Sequence, residues 1–526
     1  MDAVLEPTPK ERAFYYAGLP SSPKLVARSS SEPSYLRLDE WGNPICKKLH
    51  IVGDHPIIAK WNDDAPTSPR AQVVDLLSAC NVDWHAIDVL RIGDLDARIA
   101  SVMLFISVEP DSLSWQTGRA VAMQCRLILL HHDLPDVHCE IKESRLVPLT
   151  SPKVLQLPGH DMAMRYADRR RMLCDLVGNI ISAEDTPTKQ GTSCIYLREA
   201  GTNAVYALTC RHVCFGPEEE EQLIPGTALS QSSAALKKCI MQPGGGTFDK
   251  VLRDLDEFEQ HHARKLEEFE QRAGIEDEDR RMRKVQFQQY SLASIQPILA
   301  DFQARRQPGT RVIGQVAYVR EFGIRLHGEL SDWCLVRLDQ SRYERPLSKL
   351  ENRVFIGNIF DRVKSSALIE RLPDADGTFR LQDILPTTSI THPNGAAFSC
   401  LPSLPSLLVG KCGRTTDLTF GVYNQVKSVV RRVYSSDPQP VTAVEWCVIA
   451  DPSDVQFRHF FSAEGDSGAC VWDMDGRIVG MITSGITGDD FGDNCNIKRA
   501  IDVTYTTPME WILEDFRACG LDLDIV

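Results

Sequence analysis

The sequence predicts a multidomain fold in which an α+β domain precedes an all-β barrel domain that contains a helical insertion and ends in a helix. Three observations lead to this prediction. Apolar segments of strand and helix type alternate over residues 46–150, and short apolar segments separated by turns follow up to about residue 503. A highly charged stretch with apolar residues three and four apart interrupts the second region. The 526 residues suffice for two to four domains at roughly 100–200 residues each.

Composition and charge exclude several classes of function. Lys and Arg number 58 against 72 Asp and Glu, which gives a net charge of −14. A chain this acidic is a poor candidate for nucleic-acid or anionic-membrane binding, because both partners need a basic surface. Hydrophobic residues make up 43% and charged residues 25%, as is typical of globular proteins. We therefore expect neither a nucleic acid nor a membrane as a partner.

Two features favour an intracellular location. The first residues, MDAVLEPTPK, lack the basic stretch and apolar run of a secretory signal, and the apolar run 101–108 is too short to cross a bilayer. The 16 cysteines include no C-x-x-C pair, so we expect reduced, mostly buried thiols. The prediction is a cytoplasmic or otherwise intracellular protein.

The first 150 residues divide into a polar segment and an α+β domain. Residues 1–45 are rich in Ser, Pro and charge, which predicts a flexible N-terminal segment. Residues 46–150 carry the order strand, helix, strand, strand, helix, strand, which is the ferredoxin-like split βαβ arrangement. The predicted elements cover residues 51–59, 68–81, 86–92, 99–108, 113–130 and 137–147.

A connector and a long β-rich domain follow. Residues 151–175 predict a connector with one short basic helix, and residues 176–526 predict an all-β barrel domain with a final helix over 508–519. The insertion 247–306 predicts a helical hairpin that turns near Gly274, with arms up to about 40 Å long at 1.5 Å per residue. Two interpretations of it stay open: a solvated charged insertion, or a coiled-coil arm that binds a protein partner or acts as a regulatory lever.

The strongest functional signal is Gly465-Asp466-Ser467-Gly468, which lies between apolar strand segments. A serine between two glycines fits a tight exposed turn, because glycine permits backbone conformations that other residues avoid. In such a turn the N–H groups of Gly465 and Ser467 point outward and can hold an oxyanion beside the serine hydroxyl. The pattern therefore predicts Ser467 as a nucleophile beside an oxyanion hole.

A serine needs a general base to react at neutral pH, and the base needs an acid to orient it. His212 follows an apolar strand, where a rigid element can present its imidazole. Asp332 opens the apolar strand Asp332-Trp-Cys-Leu-Val-Arg-Leu. Asp339, which closes the same strand, is the alternative acid, although its Gln-Ser neighbours favour a turn.

The cysteines beside His212 do not indicate a metal site. Cys210-x-His212-x-Cys214 lacks the spacing of the common tetrahedral sites, and no matching second half is visible. We expect neither a metal nor another cofactor.

These segments together resemble the trypsin-like serine peptidases of the chymotrypsin fold. The apolar strand ending in T-x-x-H, the D-x-x-L-V-x-L strand and the Gly-Asp-Ser-Gly motif occur in that order. The segment Lys411-Cys-Gly-Arg-Thr-Thr-Asp-Leu-Thr-Phe-Gly421 is similar to the K-x-G-x-T-T-x-x-T-x-G strand of intracellular and microbial members. The resemblance covers about 176–526, and the whole chain looks most like intracellular fungal members with an N-terminal extension.

The resemblance implies a double β-barrel and a role for each candidate residue. His212 is implied as the general base, Asp332 as the acid that orients it, and Ser467 as the nucleophile. Gly465 and Ser467 are implied as the oxyanion hole.

A substrate pocket is implied as well. In the family, the strand after the nucleophile's hairpin lines this pocket, which makes Ser484 and Gly485 the substrate-binding candidates. Residues 460–462, which enter the serine loop, carry no acid, so an apolar or small substrate side chain is expected. One departure is that no Ile-Val-Gly-Gly start precedes the domain, which leaves the partner of Asp466 open.

Two classes of function follow. The first is a serine endopeptidase that cleaves protein or peptide substrates through an acyl-enzyme intermediate. The second is a catalytically silent pseudo-peptidase or scaffold that binds protein partners, against which the complete set of His212, Asp332 and Ser467 argues. Esterase or acyl-transfer chemistry needs the same residues, so the sequence does not separate it from peptide cleavage.

Overall fold

The computed structural model describes residues 6–32, 35–94, 100–149, 169–216, 238–272, 277–320, 322–357, 377–393, 406–434, 437–450, 460–488 and 501–526. Over these residues the structure is multidomain and rich in β-sheet, with helices between and around the sheets. None of the helices found there combines the length and the apolar character needed to span a membrane. Most of the predicted connector 151–175, and Gly274, lie outside the described residues.

The N-terminal part of the chain is a mixed sheet with four helices. Its elements are α1 (Pro9–Phe14), β1 (Leu25–Arg28), β2 (Lys47–His50), α2 (Ile57–Asn62), α3 (Pro69–Ala79), β3 (Trp84–Asp94), β4 (Ser101–Val108), α4 (Trp115–His131), β5 (His138–Glu143) and β6 (Arg145–Pro148). The two longer helices of this part, α3 and α4, begin with serine caps: the Ser68 and Ser114 side chains each accept a backbone N–H of the first turn.

The strand order differs from the predicted ferredoxin-like arrangement. In a split βαβ unit, the first strand lies between the two strands that the second helix connects. Here β4 and β5 are direct parallel neighbours, with Met103 opposite His138, and β2 lies beyond β3. The predicted strand 51–59 is also absent, since α2 begins within it. The order of elements along the chain predicted the helices and strands but did not determine their order in the sheet.

Residues 1–45 were predicted to be flexible, whereas much of this segment is packed against the sheet. Strand β1 pairs with β5, and Leu25 is fully buried. The hydroxyls of Tyr15 and Tyr16 donate to the two carboxylate oxygens of Glu140 at 2.6 and 2.7 Å. The polar composition was misleading because a few tyrosine and leucine side chains supply the buried surface.

After residue 168 the described part of the chain is mostly β-sheet with five further helices. Its strands are β7 (Ile180–Ala183), β8 (Gln190–Thr192), β9 (Tyr196–Glu199), β10 (Val205–Thr209), β11 (Cys239–Met241), β12 (Val312–Val319), β13 (Cys334–Leu338), β14 (Arg353–Phe355), β15 (Thr378–Arg380), β16 (Leu407–Gly413), β17 (Asp417–Tyr423), β18 (Ser428–Tyr434), β19 (Asp437–Ala450), β20 (Cys470–Asp473), β21 (Ile478–Thr487), β22 (Val503–Pro508) and β23 (Leu523–Ile525). Its helices are α5 (Arg211–Cys214), α6 (Gly245–Gln271), α7 (Glu278–Ala304), α8 (Thr388–Thr391) and α9 (Met509–Ala518).

Two sheets carry the candidate site. The first is an eight-stranded antiparallel sheet in the order β23-β9-β10-β13-β12-β11-β7-β8. In the second, β19-β17-β16-β20-β21-β22 follow one another and β22 pairs back to β19, so these six strands form a closed ring. The ring is filled by apolar side chains such as Val409, Val471 and Ile482, all fully buried.

One continuous sheet joins the ring to the N-terminal part. Strand β18 pairs with β19 on one side and with β3 on the other, where Val429 lies opposite Ile87. Strand β6 also pairs with β21 of the ring. Backbone pairing therefore connects the N-terminal part to the ring directly through β6 and indirectly through β18.

The predicted insertion 247–306 contains two helices of 27 residues each, α6 and α7. The side chains of His262 and Gln288 meet between them, and Glu259 meets Gln296, so the helices run antiparallel. At 1.5 Å per residue each arm is about 40 Å long. The apolar core of the hairpin lies near its base, where the rings of Phe248 and Phe302 stack at 5.3 Å.

We expect Phe302→Ala to destabilise the hairpin by about 3–5 kcal/mol, because it removes a fully buried ring and leaves a cavity. Amide hydrogen exchange over residues 245–304 measures the loss. Tyr290→Ala is the matched control: its ring is 66% exposed on the same hairpin, so the change should be within about 0.5 kcal/mol. Equal effects of the two substitutions would contradict the assigned packing.

Candidate active site

Strand pairing brings His212 and Asp332 together. His212 lies on the short helix α5, which begins two residues after β10 ends. Asp332 lies two residues before β13 begins, and β10 pairs antiparallel with β13 so that Thr209 is opposite Cys334. Both side chains therefore emerge at the same end of this strand pair, although 120 residues separate them in sequence.

A continuous chain of hydrogen bonds joins the three predicted residues. Asp332 Oδ2 lies 2.6 Å from His212 Nδ1, and His212 Nε2 lies 2.8 Å from Ser467 Oγ. The backbone N–H of His212 also donates to Asp332 Oδ1 at 3.1 Å, which fixes the carboxylate. The alternative acid, Asp339, instead accepts the N–H of Ser341 in an exposed turn, as its neighbours predicted.

The environment of Asp332 keeps its carboxylate ionised. Burial favours the protonated form of its fully buried side chain, but attraction to His212 and the hydrogen bonds from it outweigh burial, so the pKa of Asp332 lies below its ordinary value. Arg432 adds to this effect from 3.8 Å. An ionised carboxylate only accepts hydrogen bonds, so the proton belongs on His212 Nδ1 and Nε2 is left to accept from Ser467.

Two backbone donors converge beside Ser467. The N–H groups of Gly465 and Ser467 both donate to the carbonyl oxygen of Leu149, the second at 3.2 Å. Gly465 has a φ of +105°, and a Cβ there would lie 2.3 Å from Thr415 Oγ1, so only glycine fits. The two predicted donors therefore point at one acceptor, which the sequence did not predict.

The partner of Asp466 is Lys411. Its ammonium lies 3.1 Å from Asp466 Oδ2, and both side chains are fully buried. Oδ2 also accepts the hydroxyl of Thr416 at 2.6 Å, and Oδ1 accepts the N–H of Thr415 at 2.8 Å. The charge of the aspartate is thus balanced by a lysine of β16, which neighbours β20, the strand that follows the serine loop.

The strand predicted to bind substrate is paired with another part of the chain. Ser484 and Gly485 belong to β21 and lie opposite Pro148 and Val147 of β6 in an antiparallel register. The hydroxyl of Ser484 accepts a hydrogen bond from Arg432 at 2.6 Å. Both predicted residues therefore contact an extended peptide, which is residues 145–148 of the same molecule.

Leu149 follows this peptide and is part of an apolar cluster in the core. Its side chain is fully buried in a cluster that includes Phe461, Ile482 and Trp511. The apolar lining agrees with the absence of an acid from residues 460–462.

The atoms near His212 are unsuited to a metal ion. Cys210, His212 and Asp332 offer ligand atoms within 4.8 Å of one another. Both ring nitrogens of His212 are already engaged, and the thiol of Cys210 donates to the carbonyl of Ile482 at 3.2 Å. Burial raises the pKa of that thiol well above its ordinary value, whereas a metal ligand must be a thiolate.

Three participants were missed by sequence reasoning. Lys411 opens the segment 411–421 described above, but nothing in the sequence of that segment indicates that it faces Asp466. Leu149 follows strand β6, whose partner β21 lies more than 300 residues away in sequence. Arg432 lies on β18, and nothing in the sequence of that strand indicates that it contacts Asp332, 100 residues earlier in the chain. Alternating hydrophobicity shows that a strand exists, but not which strand it pairs with.

Comparison of the chain with known protein families gives no match, and comparison with curated proteins gives none either.

We expect Lys411→Met to cost about 3–5 kcal/mol in the free energy of unfolding, because it leaves the Asp466 carboxylate buried without its cation. Denaturant titration measures the loss, and Lys411→Met with Asp466→Asn should recover part of it. Arg37→Met is the matched control, since Arg37 pairs with Asp94 at an exposed site where a pair contributes about 0–1 kcal/mol. A loss for Lys411→Met as small as the control's would show that the pair is dispensable.

Glu445 should give the protein a pH-dependent stability. Burial raises the pKa of Glu445 to about 8, although Arg432 and the hydroxyl of Thr507 oppose the rise. Between the ordinary value of 4.5 and about 8, the folded chain keeps a proton that the unfolded chain releases. The free energy of unfolding contributed by this group therefore falls by about 1.4 kcal/mol per pH unit as the pH rises through this window.

Glu445→Gln should remove this slope, as measured by urea unfolding at several pH values within the window. The control is Glu344→Gln, at an exposed position, which should leave the pH dependence of the free energy of unfolding unchanged. Identical slopes in wild type and Glu445→Gln would mean that Glu445 is ionised in the folded state.

Proposed function

We propose that the protein is a serine endopeptidase with a catalytic triad of His212, Asp332 and Ser467. The observation that carries the proposal is the unbroken hydrogen-bond chain from Asp332 through His212 to Ser467, beside two N–H donors that converge on a peptide carbonyl. A buried carboxylate, an imidazole and a hydroxyl in this order are the arrangement that activates a serine for acyl transfer.

We also propose that the two barrel sheets have the chymotrypsin fold. This proposal is supported by the position of the residues: the base and acid come from the eight-stranded sheet, and the serine loop precedes β20 of the closed ring. The N–H of Thr192 donates to the carbonyl of Ser467 at 2.8 Å, which ties the two sheets together next to the nucleophile.

In the proposed reaction, Ser467 Oγ attacks the carbonyl carbon of the substrate while His212 Nε2 accepts the hydroxyl proton. The ionised Asp332 stabilises the imidazolium that forms. The N–H groups of Gly465 and Ser467 hold the negative oxygen of the tetrahedral intermediate. The imidazolium then protonates the leaving amine, the C–N bond breaks, and water attacks the resulting ester in the same way to release the acid.

A peptide is the substrate that the site favours over a simple ester. The edge of β21 binds an extended chain by backbone pairing at Ser484 and Gly485, and such pairing recognises the amide groups of a peptide. The apolar cluster around Leu149 favours an apolar side chain at the residue that donates the acyl group. Neither a cofactor nor a metal is needed for these steps. We propose the helical hairpin, where Phe287 and Tyr290 are exposed, as the surface for a protein partner.

Reaction with a fluorophosphonate tests the proposal. We expect one adduct per wild-type chain, on Ser467, and none on Ser467→Ala, because only an activated serine reacts. The carbonyl of Leu149 accepts hydrogen bonds from both donors and must leave before the probe can bind, so labelling will be slow. The reaction is therefore followed to completion by intact mass. A folded wild-type chain that never forms the adduct would favour the scaffold over the peptidase.

Asp332→Asn should lower the rate of hydrolysis of an activated ester by about 10⁴-fold, because the amide no longer fixes the productive tautomer of His212. Asp339→Asn is the matched control, because Asp339 lies in an exposed turn at the other end of β13 and should leave the rate unchanged. Equal rates for the two variants would exclude Asp332 from the triad.

A further inference from the structure

We infer that the chain is its own substrate: residues 146–149 lie in the acyl side of the substrate cleft, and Ser467 cleaves the peptide bond that follows Leu149. The inference rests on the proposed function, since it needs Ser467 to be a nucleophile. It assigns to the site a substrate sequence, Leu-Val-Pro-Leu, and a bond.

The backbone of this segment is bound as a substrate strand would be. Residues Arg145–Pro148 form β6 and pair antiparallel with β21, so that Pro148 is opposite Ser484, and Leu146 is opposite Ile486. This is strand addition, in which main-chain hydrogen bonds supply affinity for any extended peptide. The pairing also fixes the register, and hence which carbonyl reaches the nucleophile.

The carbonyl that reaches the nucleophile is that of Leu149. Its oxygen accepts the N–H groups of both Gly465 and Ser467, the donors that stabilise an oxyanion in the proposed mechanism. The hydroxyl of Ser467 belongs to the same residue as one of these donors and is hydrogen-bonded to His212. A carbonyl in this position is polarised for attack at its carbon.

Side-chain burial along the segment points to Leu149 as the residue that determines specificity. Leu149 is fully buried in the apolar cluster, whereas Pro148 and Arg145 are exposed and Val147 and Leu146 are half-buried. A pocket that encloses one side chain discriminates by its size and polarity. Leucine is of the apolar class that the lining of the pocket accepts.

The N-terminal domain holds the segment in place. Strand β5 ends at Glu143, and buried Ser144 donates its N–H to the carbonyl of Val108. Arg145 then forms two hydrogen bonds with Glu109, at 2.6 and 2.8 Å. The segment follows β5 of the N-terminal sheet directly into the proposed cleft, so its binding there is intramolecular.

The reaction is a hydrolysis and needs only water. Ser467 Oγ bonds to the carbonyl carbon of Leu149, and its proton passes to His212 Nε2. The bond between that carbon and the nitrogen of Thr150 breaks as His212 protonates the nitrogen, which leaves an ester between Leu149 and Ser467. Water then cleaves the ester, giving a carboxylate on Leu149, a free amine on Thr150 and the original serine.

The two products should stay together. Residues 1–149 keep their pairing with the larger fragment, through β3 with β18 and through β6 with β21. The new carboxylate of Leu149 then remains beside the two N–H donors, so the cleaved protein holds its first product in the cleft.

Intact mass of the full chain tests the inference. After overnight incubation, wild type should give fragments 1–149 and 150–526, whose masses sum to the intact mass plus one water, and Ser467→Ala should stay intact. The cleaved fraction should not depend on protein concentration, because the segment is bound within the same molecule. The N-terminal residues of the larger fragment should be Thr-Ser-Pro-Lys.

Substitution of Leu149 supplies graded variants, each checked for folding by circular dichroism. Leu149→Met preserves an apolar side chain of similar volume and should be cleaved. Leu149→Ala should be cleaved at least about tenfold more slowly, since each lost methylene weakens binding in an apolar pocket. Leu149→Asp should stay intact, because the pocket would have to bury a carboxylate.

Fluorophosphonate labelling in parallel distinguishes failure of this inference from failure of the proposed function. A wild-type chain that is labelled on Ser467 yet stays intact, or is cut at another bond, overturns the inference and leaves the proposed function standing; the segment would then be a bound inhibitor. A folded chain that is neither labelled nor cut overturns both. Cleavage that persists in Ser467→Ala would show that another peptidase made the cut.

Discussion

The geometry of the site depends on the buried ion pair between Lys411 and Asp466. The pair, with the hydrogen bonds from Thr415 and Thr416, fixes the loop on which Gly465 and Ser467 direct their N–H groups to one point. A buried carboxylate of this kind is costly unless a cation faces it. Because the cation belongs to β16 of the closed ring, the loop is shaped without a newly formed chain terminus, and the two donors are in place in the intact chain.

The sheet that continues from the N-terminal part into the ring positions further residues of the site. Strand β18 lies between the N-terminal sheet and the closed ring, and it carries Arg432, which contacts both Asp332 and Ser484. The strand that joins the two parts of the molecule therefore also places a charge beside the proposed acid. The N-terminal sheet in turn delivers residues 145–149 to β21. The strands that join the N-terminal sheet to the ring, β18 and β6, therefore also place residues at the candidate site.

Short-range patterns in the sequence were sufficient for His212, Asp332 and Ser467, because each lies at the end of a recognisable strand or in a glycine turn, and the structure brings the three together. The helical hairpin and the final helix were predictable for a similar reason, since apolar periodicity is local. Pairing between strands that are distant in sequence could not be predicted in this way. The N-terminal strand order, the burial of Tyr15 and Tyr16, and the pairing of β6 with β21 all arise from partners far away in sequence.

The pairing of β3 with β18 has a consequence for biosynthesis. Ile87 of β3 and Val429 of β18 are neighbours in the sheet, but a ribosome makes them more than 300 residues apart. Translation proceeds at about 5–20 residues per second, so β18 is synthesised tens of seconds after β3. During that time only β2 covers part of the edge of β3 that later pairs with β18. An uncovered strand edge is a template for aggregation. Folding of this chain during translation therefore calls for a chaperone, or for slow release, until β18 has emerged.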